Sequence, residues 1–167
     1  MNIRDAEIHD AQAIAGIYNH YVVHSHATFE VDPIDVEEMK RRIDNSLSRG
    51  LPFLVAEIDI KITGYAYAQP YKQRAAYQHS VEISVYVDPD AIENGIGTAL
   101  YEILFARLNA SGVHAVIAGI SLPNDASVRL HEGFGLTKVA HFLEVGRKFD
   151  RWIDVGYWEL VLKDTSI

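Results

Sequence analysis

One segment, residues 81–108, constrains the fold of this chain more than any other. Its first seven residues alternate apolar and polar side chains, the period of two that is typical of a strand. Asp88-Pro89-Asp90 ends that strand, and Gly95-Ile96-Gly97 then leads into a helix with one apolar stripe. The N–H groups at a helix start are unpaired, and glycines let a ligand approach them closely, so the segment predicts a phosphate or pyrophosphate site. Two glycines that serve only as a turn are the alternative.

Within that strand, Glu82 is the one acidic residue among apolar neighbours. A carboxylate in a central strand costs desolvation free energy unless it is paired or faces a cleft. Partial burial would raise its pKa and suit it to general-base catalysis. An ion-paired glutamate on a solvated face of the sheet is the other interpretation.

Asn124, Ser127 and His131 follow Pro123 at spacings that place them on one face of a helix. An amide, a hydroxyl and an imidazole can therefore reach one groove. Asn124 is equally well explained as the N-cap of that helix, and His131 as a surface histidine. His20, His24 and His26 lie close in sequence, but no carboxylate completes a zinc motif, so we expect no metal.

A polar, aromatic loop at residues 70–78 carries two cations, Lys72 and Arg74, beside Tyr77. Arginine binds carboxylates and phosphates through two parallel hydrogen bonds, so the loop favours an anionic group on a substrate. A solvated loop is the alternative. We assign the acceptor side of the site to Lys72, Arg74, Tyr77 and Phe29.

Composition excludes several classes of protein. The chain has 167 residues, 49% of them hydrophobic, which predicts a single packed domain over residues 1–167. It has no cysteine, so disulfides, thiolate nucleophiles and cysteine-ligated metals are excluded. The net charge of -8 argues against nucleic-acid binding through bulk electrostatics. No apolar run suggests a membrane span, and we expect a cytoplasmic protein.

The order of elements predicts an α/β (α+β) fold: one mixed sheet with helices on both faces. We expect strands at residues 2–4, 52–57, 61–69, 81–87, 113–120, 136–145 and 157–162, with the polar loop 146–152 between the last two. We expect helices at residues 10–24, 35–48, 96–108 and 123–132.

Several segments together resemble the GNAT superfamily of acyl-CoA-dependent N-acetyltransferases, and most closely its phosphinothricin and methionine sulfoximine acetyltransferase branch. They are IYNHYV (17–22), ITGYAYAQPYKQRAAY (62–77), VEISVYVDP (81–89), GIGTALY (95–101), LPNDASVRLHEGFG (122–135) and RWIDVGYWEL (151–160). The resemblance implies a mostly antiparallel sheet splayed at its centre, acetyl-CoA in the gap, no metal cofactor, and a homodimer. It implies that Glu82 is the base, that histidine at position 131 is typical of the branch, and that the cofactor is bound by Val85, Tyr86, Val87, Glu93, Asn94, Gly95, Ile96, Gly97, Thr98, Asn124 and Ser127.

The chain departs from the superfamily pattern at Ile92, where glutamine or arginine usually precedes the glycine loop. Asp88, Asp90 and Glu93 nearby are acidic. We therefore expect no basic side chain beside the phosphates, and binding by backbone amides alone.

The resemblance implies direct acetyl transfer from acetyl-CoA to a small amine in a ternary complex. His131 would protonate the leaving thiolate or share the base role. Other acceptors, such as a polyamine, an aminoglycoside or a protein N-terminus, stay open. A non-catalytic acyl-CoA sensor is the interpretation from a different class, and the presence of Glu82 and His131 argues against it.

Overall fold

The computed structural model describes residues 1–92 and 95–162, and it contains one seven-stranded sheet. The strands lie in the spatial order β1-β2-β3-β4-β5-β7-β6. Every neighbouring pair is antiparallel except β4 and β5, which are parallel. The strands are β1 (Asn2–Asp5), β2 (Phe53–Ile58), β3 (Lys61–Pro70), β4 (Ser80–Val87), β5 (Ala115–Leu122), β6 (Thr137–Lys148) and β7 (Arg151–Val161).

Helices cover both faces of this sheet, as the sequence predicted. Their bounds are α1 (Ala11–His24), α2 (Val36–Leu47), α3 (Ile96–Ala110) and α4 (Asp125–Gly133). The apolar side chains of α1 and α2 pack with Phe53 and Tyr65 on one face. Those of α3 pack on the other face, against Val81 and Ile83 of β4. The alternation along β4 therefore decides which helix layer each of its side chains meets.

The prediction of a polar loop at residues 146–152 is wrong. Instead, β6 runs to Lys148 and β7 starts at Arg151, so that only Phe149 and Asp150 form the turn. Both turn residues have positive φ, 51° and 55°, which matches the twist of a two-residue hairpin. The polar side chains of this segment do not prevent a strand, because the β6–β7 hydrogen bonds join main-chain groups and do not depend on the side chains.

The pairing of β4 with β5 stops early, and this interruption opens the sheet at its centre. Registered pairs exist only at Ser80–Ala115, Val81–Val116 and Glu82–Ile117. Both strands continue for five more residues, β4 to Val87 and β5 to Leu122. On its other edge β4 stays paired with β3 as far as Val87. The predicted splay is thus confirmed, and it begins directly after Glu82.

No helix in residues 1–92 and 95–162 is both long enough and apolar enough to cross a bilayer.

Candidate active site

The diverging strands β4 and β5 enclose a cleft of about 320 Å³, which we call the fork cleft. This volume is in the range of small-ligand pockets. Its walls are formed by the two strands, one face of α4, Tyr21 of α1 and Ala27 of the loop that follows α1. The lining residues that recur below are Tyr21, Ala27, Val85, Tyr86, Val87, Gly119, Ser121, Asn124, Ser127 and His131.

Glu82 lies at the point where the fork opens. Its side chain is half-buried, and burial raises the pKa of its carboxyl above the ordinary value. A hydrogen bond of 3.3 Å from Gln69 Nε2 to Oε2 partly offsets that rise by favouring the charged form. Within the described residues no cation pairs with this carboxylate, so the ion-pair interpretation is wrong. A half-buried, unpaired carboxylate at a cleft is a chemically suitable proton acceptor.

A second opening, the loop groove, meets Glu82 from the side of residues 69–78. Its volume is about 910 Å³, and Arg49, Lys72 and Arg74 contribute cations to its wall. Tyr77 does not line this groove. Its ring instead contacts Tyr71 edge-on at 5.7 Å between centroids, and Lys72 Nζ lies 5.4 Å from it. Two of the predicted acceptor residues, Lys72 and Arg74, thus share one groove with the candidate base.

Phe29 is placed by contacts with β6 rather than by the loop groove. Its exposed ring fills a notch above Gly146, where any added methyl group would overlap it. Nearby, Lys148 is 4% exposed, and its ammonium donates to the carbonyls of Ser25 at 2.7 Å and Thr28 at 2.8 Å. These contacts fix the segment between α1 and α2, which brings Ala27 into the wall of the fork cleft.

A second tie to the same segment crosses the end of the cleft. Ser121 Oγ donates to the backbone carbonyl of His26 at 2.6 Å, and the His26 ring Nδ1 lies 3.0 Å from that hydroxyl oxygen. Ser121 belongs to β5, so the segment after α1 is held by both β5 and β6. None of these tertiary contacts has a local sequence signal, because each joins distant parts of the chain.

His131 is a buried side chain, 4% exposed, so the surface-histidine interpretation is wrong. Its Nδ1 lies 2.7 Å from the Ser127 carbonyl, which can only accept, and we therefore place the proton on Nδ1. Nε2 then accepts from the hydroxyl of Tyr101 at 2.8 Å. Burial lowers the pKa of the imidazole, so the ring is neutral near pH 7. Both ring nitrogens are occupied, on the α3 side of the sheet.

Asn124 is the N-cap of α4, as one of the two interpretations required. Its Oδ1 accepts from the backbone N–H of Ser127 at 3.2 Å. The Ser127 hydroxyl lies 3.3 Å from His131 Nδ1. All three residues line the fork cleft, so capping of the helix and a place in the cleft coexist.

The predicted phosphate loop lies beside the same helix, since Ala126 and Leu130 of α4 line both the fork cleft and the groove at this loop. Gly95 has φ of 69°, a left-handed conformation that suits glycine, and it immediately precedes α3. A groove of about 390 Å³ is lined by Gly95, Ile96, Gly97 and Thr98. Ile96 is 2% exposed, and its side chain belongs to the hydrophobic core on the α3 face of the sheet. Glu93 and Asn94, also predicted to bind the cofactor, lie outside the described residues.

The same groove contains Arg129 of α4, so the expectation of no basic side chain beside the loop is not met. Arg129 is exposed, and the described part of the chain gives it no ion-pair partner. The sequence does not indicate this arginine, because Arg129 lies more than thirty residues after Gly95 and no local pattern shows that α4 packs beside the glycine loop.

Val85, Tyr86 and Val87 line the fork cleft along its β4 wall, and their edge facing β5 has no strand partner. The carbonyl of Val87 already accepts a 2.6 Å hydrogen bond from the hydroxyl of Tyr21. The ring of Tyr86 stacks on Tyr65 and contacts the α1 tyrosines. Tyr86 and Val87 are therefore held by contacts with α1 and β3, and the main chain of Val85 is the part of the β4 wall that is most available to a ligand.

Among residues 1–92 and 95–162, no group of three or more histidine, aspartate or glutamate side chains is arranged to hold a metal ion. His20 and His24 approach each other, with ring centroids 4.9 Å apart, but no third ligand joins them.

A family model described as an acetyltransferase (GNAT) domain matches residues 3–156. The phosphinothricin N-acetyltransferase of Streptomyces coelicolor is 40% identical over 162 residues, which cover 95% of each chain. The L-methionine sulfoximine/L-methionine sulfone acetyltransferase of Salmonella typhimurium is 35% identical over 98% of this chain and 96% of that protein. A phosphinothricin acetyltransferase from Sinorhizobium meliloti, solved in complex with acetyl-CoA, superimposes with a TM-score of 0.95 at 33% identity, over 99% of this chain and 90% of that one.

The splayed sheet, the glycine loop before α3 and these matches define the class: the chain belongs to the GNAT family of acetyltransferases. Within that family it falls in the branch that contains the phosphinothricin N-acetyltransferases and the methionine sulfoximine acetyltransferases. The resemblance stated from the sequence is confirmed.

Proposed function

We propose that this protein transfers acetyl from acetyl-CoA to the primary amino group of a small amino-acid-like acceptor, with Glu82 as the base. The observation that carries the proposal is the position of Glu82. Its carboxyl group lies where the β4–β5 pairing ends, between the fork cleft and the cationic loop groove. The acyl donor and the acceptor would thus enter from different sides and meet at that carboxylate.

The fork cleft and the glycine groove fit acetyl-CoA. The unpaired edge of Val85 offers main-chain groups to a pantetheine amide, and Asn124 and Ser127 supply polar groups on the opposite wall. The start of α3 and the side chain of Arg129 offer positive charge to a pyrophosphate. Acetyl-CoA is bound in the relative from Sinorhizobium meliloti, which shares this fold.

The chemical step moves two protons and one acetyl group. Glu82 removes a proton from the acceptor's ammonium, directly or through a water, and frees its lone pair. The nitrogen attacks the thioester carbonyl and forms the C–N bond, N–H groups of β4 stabilise the resulting oxyanion, and its collapse breaks the C–S bond. The thiolate leaves as a weak base, and the second proton of the acylated nitrogen passes to it, directly or through water, which gives the neutral amide and free thiol. Since the chain has no cysteine, no thioester-linked acyl-enzyme is formed.

His131 is the weaker candidate for either proton transfer. Its Nδ1 proton is donated to Ser127, and its Nε2 accepts from Tyr101, so donation to a thiolate would first require one of these bonds to break. It is hydrogen-bonded to Tyr101 of α3, whereas Glu82 projects from the face of β4 that is turned away from α3. We propose that His131 shapes the wall of the cleft and leaves the base role to Glu82.

The acceptor is argued from charge. Arg49, Lys72 and Arg74 surround the loop groove, so an acceptor that carries a carboxylate, phosphinate or sulfone oxygen gains hydrogen bonds there. A polyamine would meet repulsion from the same cations. Phosphinothricin, methionine sulfoximine and methionine sulfone, which relatives are named for, fit this requirement.

The test is release of free thiol from acetyl-CoA across a panel of acceptors, with wild type and Glu82→Gln. We expect the highest kcat/KM with amino-acid-like acceptors and a rate that rises with pH through the raised pKa of Glu82. Glu82→Gln should lower kcat about 10²–10⁴-fold and remove that acidic limb. A polyamine or peptide as the best acceptor would refute the assignment, and acetyl-CoA binding with no thiol release would favour a sensor.

We also propose that the protein is a homodimer that pairs through the β6–β7 hairpin. This hairpin is at the edge of the sheet and exposes a series of large apolar side chains, which monomers seldom leave uncovered. They are Val139, Phe142, Leu143, Val145, Phe149 and Trp152. Sedimentation should give a dimer for wild type and a monomer for Leu143→Lys; a monomeric wild type would refute the proposal. The cytoplasmic location stays a prediction.

A further inference from the structure

Gly119 is an accessible position in the middle of a buried strand. Its neighbours Ala118 and Ile120 are 1% and 3% exposed, whereas Gly119 itself is open to solvent. It lies two residues beyond the last β4–β5 pair, on the face of the sheet that also carries Glu82. The backbone at this point is therefore reachable from the fork.

A carboxylate and a phenol flank that bare backbone. A methyl group built on Gly119 would lie 3.5 Å from Glu82 Oε1 and 3.3 Å from Tyr157 Cε1. Tyr157 is the partner of Gly119 across the β5–β7 ladder, and Phe142 holds its ring edge-on at 5.6 Å. The missing Cβ thus keeps open a small space between two polar side chains.

Tyr157 is suited to bind a nitrogen without competing for its proton. Burial, followed by the charge of Glu82 and by Tyr71, raises the pKa of the phenol. The hydroxyl therefore stays protonated at neutral pH, where it can accept one hydrogen bond and donate another. No hydrogen bond to Tyr157 OH occupies it in the described structure.

We propose that Gly119, Tyr157 and Glu82 form the seat of the acceptor's amino group: Gly119 leaves the space, Tyr157 OH accepts one N–H, and Glu82 accepts the N–H that is transferred. The seat rests on the proposed function and names where its acceptor reacts.

Gly119→Ala tests the space, with L-methionine sulfone as the acceptor and Gly16→Ala as the matched control. Gly16 lies in α1, and a methyl group there would meet nothing within 4 Å. For Gly119→Ala we expect kcat/KM for the acceptor to fall by about tenfold or more, since a small misplacement of a reacting atom is costly. The affinity for acetyl-CoA, measured by calorimetry, should fall by less than this, because the added methyl group lies against Glu82 and Tyr157. Gly16→Ala should match wild type in both measurements.

Tyr157→Phe removes only the hydroxyl and keeps the ring that packs on Phe142. We expect about a tenfold rise in KM for the acceptor, the size of one hydrogen bond to a charged group. The acidic limb of the pH–rate profile should stay, because Glu82 still accepts the proton. A merely structural tyrosine would instead change the thermal midpoint and leave that KM unchanged.

The outcomes separate the seat from the function it rests on. If wild type acetylates no amine, the proposed function fails. If wild type is active and Gly119→Ala keeps its kcat/KM, or loses acetyl-CoA affinity instead, the seat is wrong and the function stands. An unchanged acceptor KM in Tyr157→Phe would equally remove Tyr157 from the seat.

Discussion

Lys148 should stabilise the fold even though it is a buried cation with no carboxylate partner among the described residues. Its side chain is 4% exposed, and its ammonium makes two short hydrogen bonds to the Ser25 and Thr28 carbonyls and a longer one, 3.5 Å, to Tyr21 O. Those carbonyls lie at and just beyond the C-terminal end of α1, where the helix dipole favours positive charge. Desolvation opposes them, and burial accordingly lowers the pKa of the ammonium.

The size of the effect follows from what Lys148→Met leaves behind. Methionine keeps most of the apolar stem but leaves two buried carbonyls without a hydrogen-bond donor, which costs about 1–3 kcal/mol of folding stability for each. Relief from burying a charge returns part of that free energy. We expect a net loss of about 2–4 kcal/mol, less than the stability of a typical domain, so the variant should still fold.

Urea unfolding followed by circular dichroism measures the loss. With a slope of about 2 kcal/mol per molar urea, the midpoint should fall by about 1–2 M. Lys40→Met is the control, because Lys40 forms an exposed pair with Glu37 at 2.7 Å and should change stability by about 1 kcal/mol or less. A Lys148→Met protein as stable as wild type would refute the reasoning, since desolvation would then outweigh the hydrogen bonds.

Three further variants test the site. Gly97→Val should weaken acetyl-CoA binding in a folded protein, because a Cβ there already lies 3.3 Å from Leu130 and more bulk closes the groove; calorimetry giving wild-type affinity would reject the phosphate assignment. Arg74→Ala should raise KM for an anionic acceptor but not for acetyl-CoA, and equal changes in both would contradict its place in the loop groove. His131→Phe should leave the Tyr101 hydroxyl without its acceptor, which lowers the free energy of unfolding by about 1–3 kcal/mol and therefore the thermal midpoint. It should lower kcat less than Glu82→Gln does. Loss of all activity in His131→Phe, with an unchanged pH–rate profile in Glu82→Gln, would reverse the two roles.

The order of helices and strands could be predicted from the amino-acid sequence. Alternation along residues 81–87 predicted both the strand and the face on which Glu82 lies, because successive side chains of a strand point to opposite sides. Gly95 before α3 has the positive φ that its residue type permits. Asn124 caps α4, as its position after Pro123 indicated. These features depend on neighbours a few residues apart, which a sequence pattern records directly.

Long-range packing, by contrast, sets how far the strands stay paired and which side chains meet at the fork. The end of the β4–β5 register after Glu82, the approach of Tyr157 to Gly119, and the return of Arg129 to the glycine loop all join distant segments. The same holds for the burial of His131 beneath Tyr101, which makes it neutral and fully hydrogen-bonded. Local periodicity states which face a residue occupies, but the depth of burial and the partner across the sheet depend on how the layers pack, and those two quantities set the pKa and the chemistry of each group.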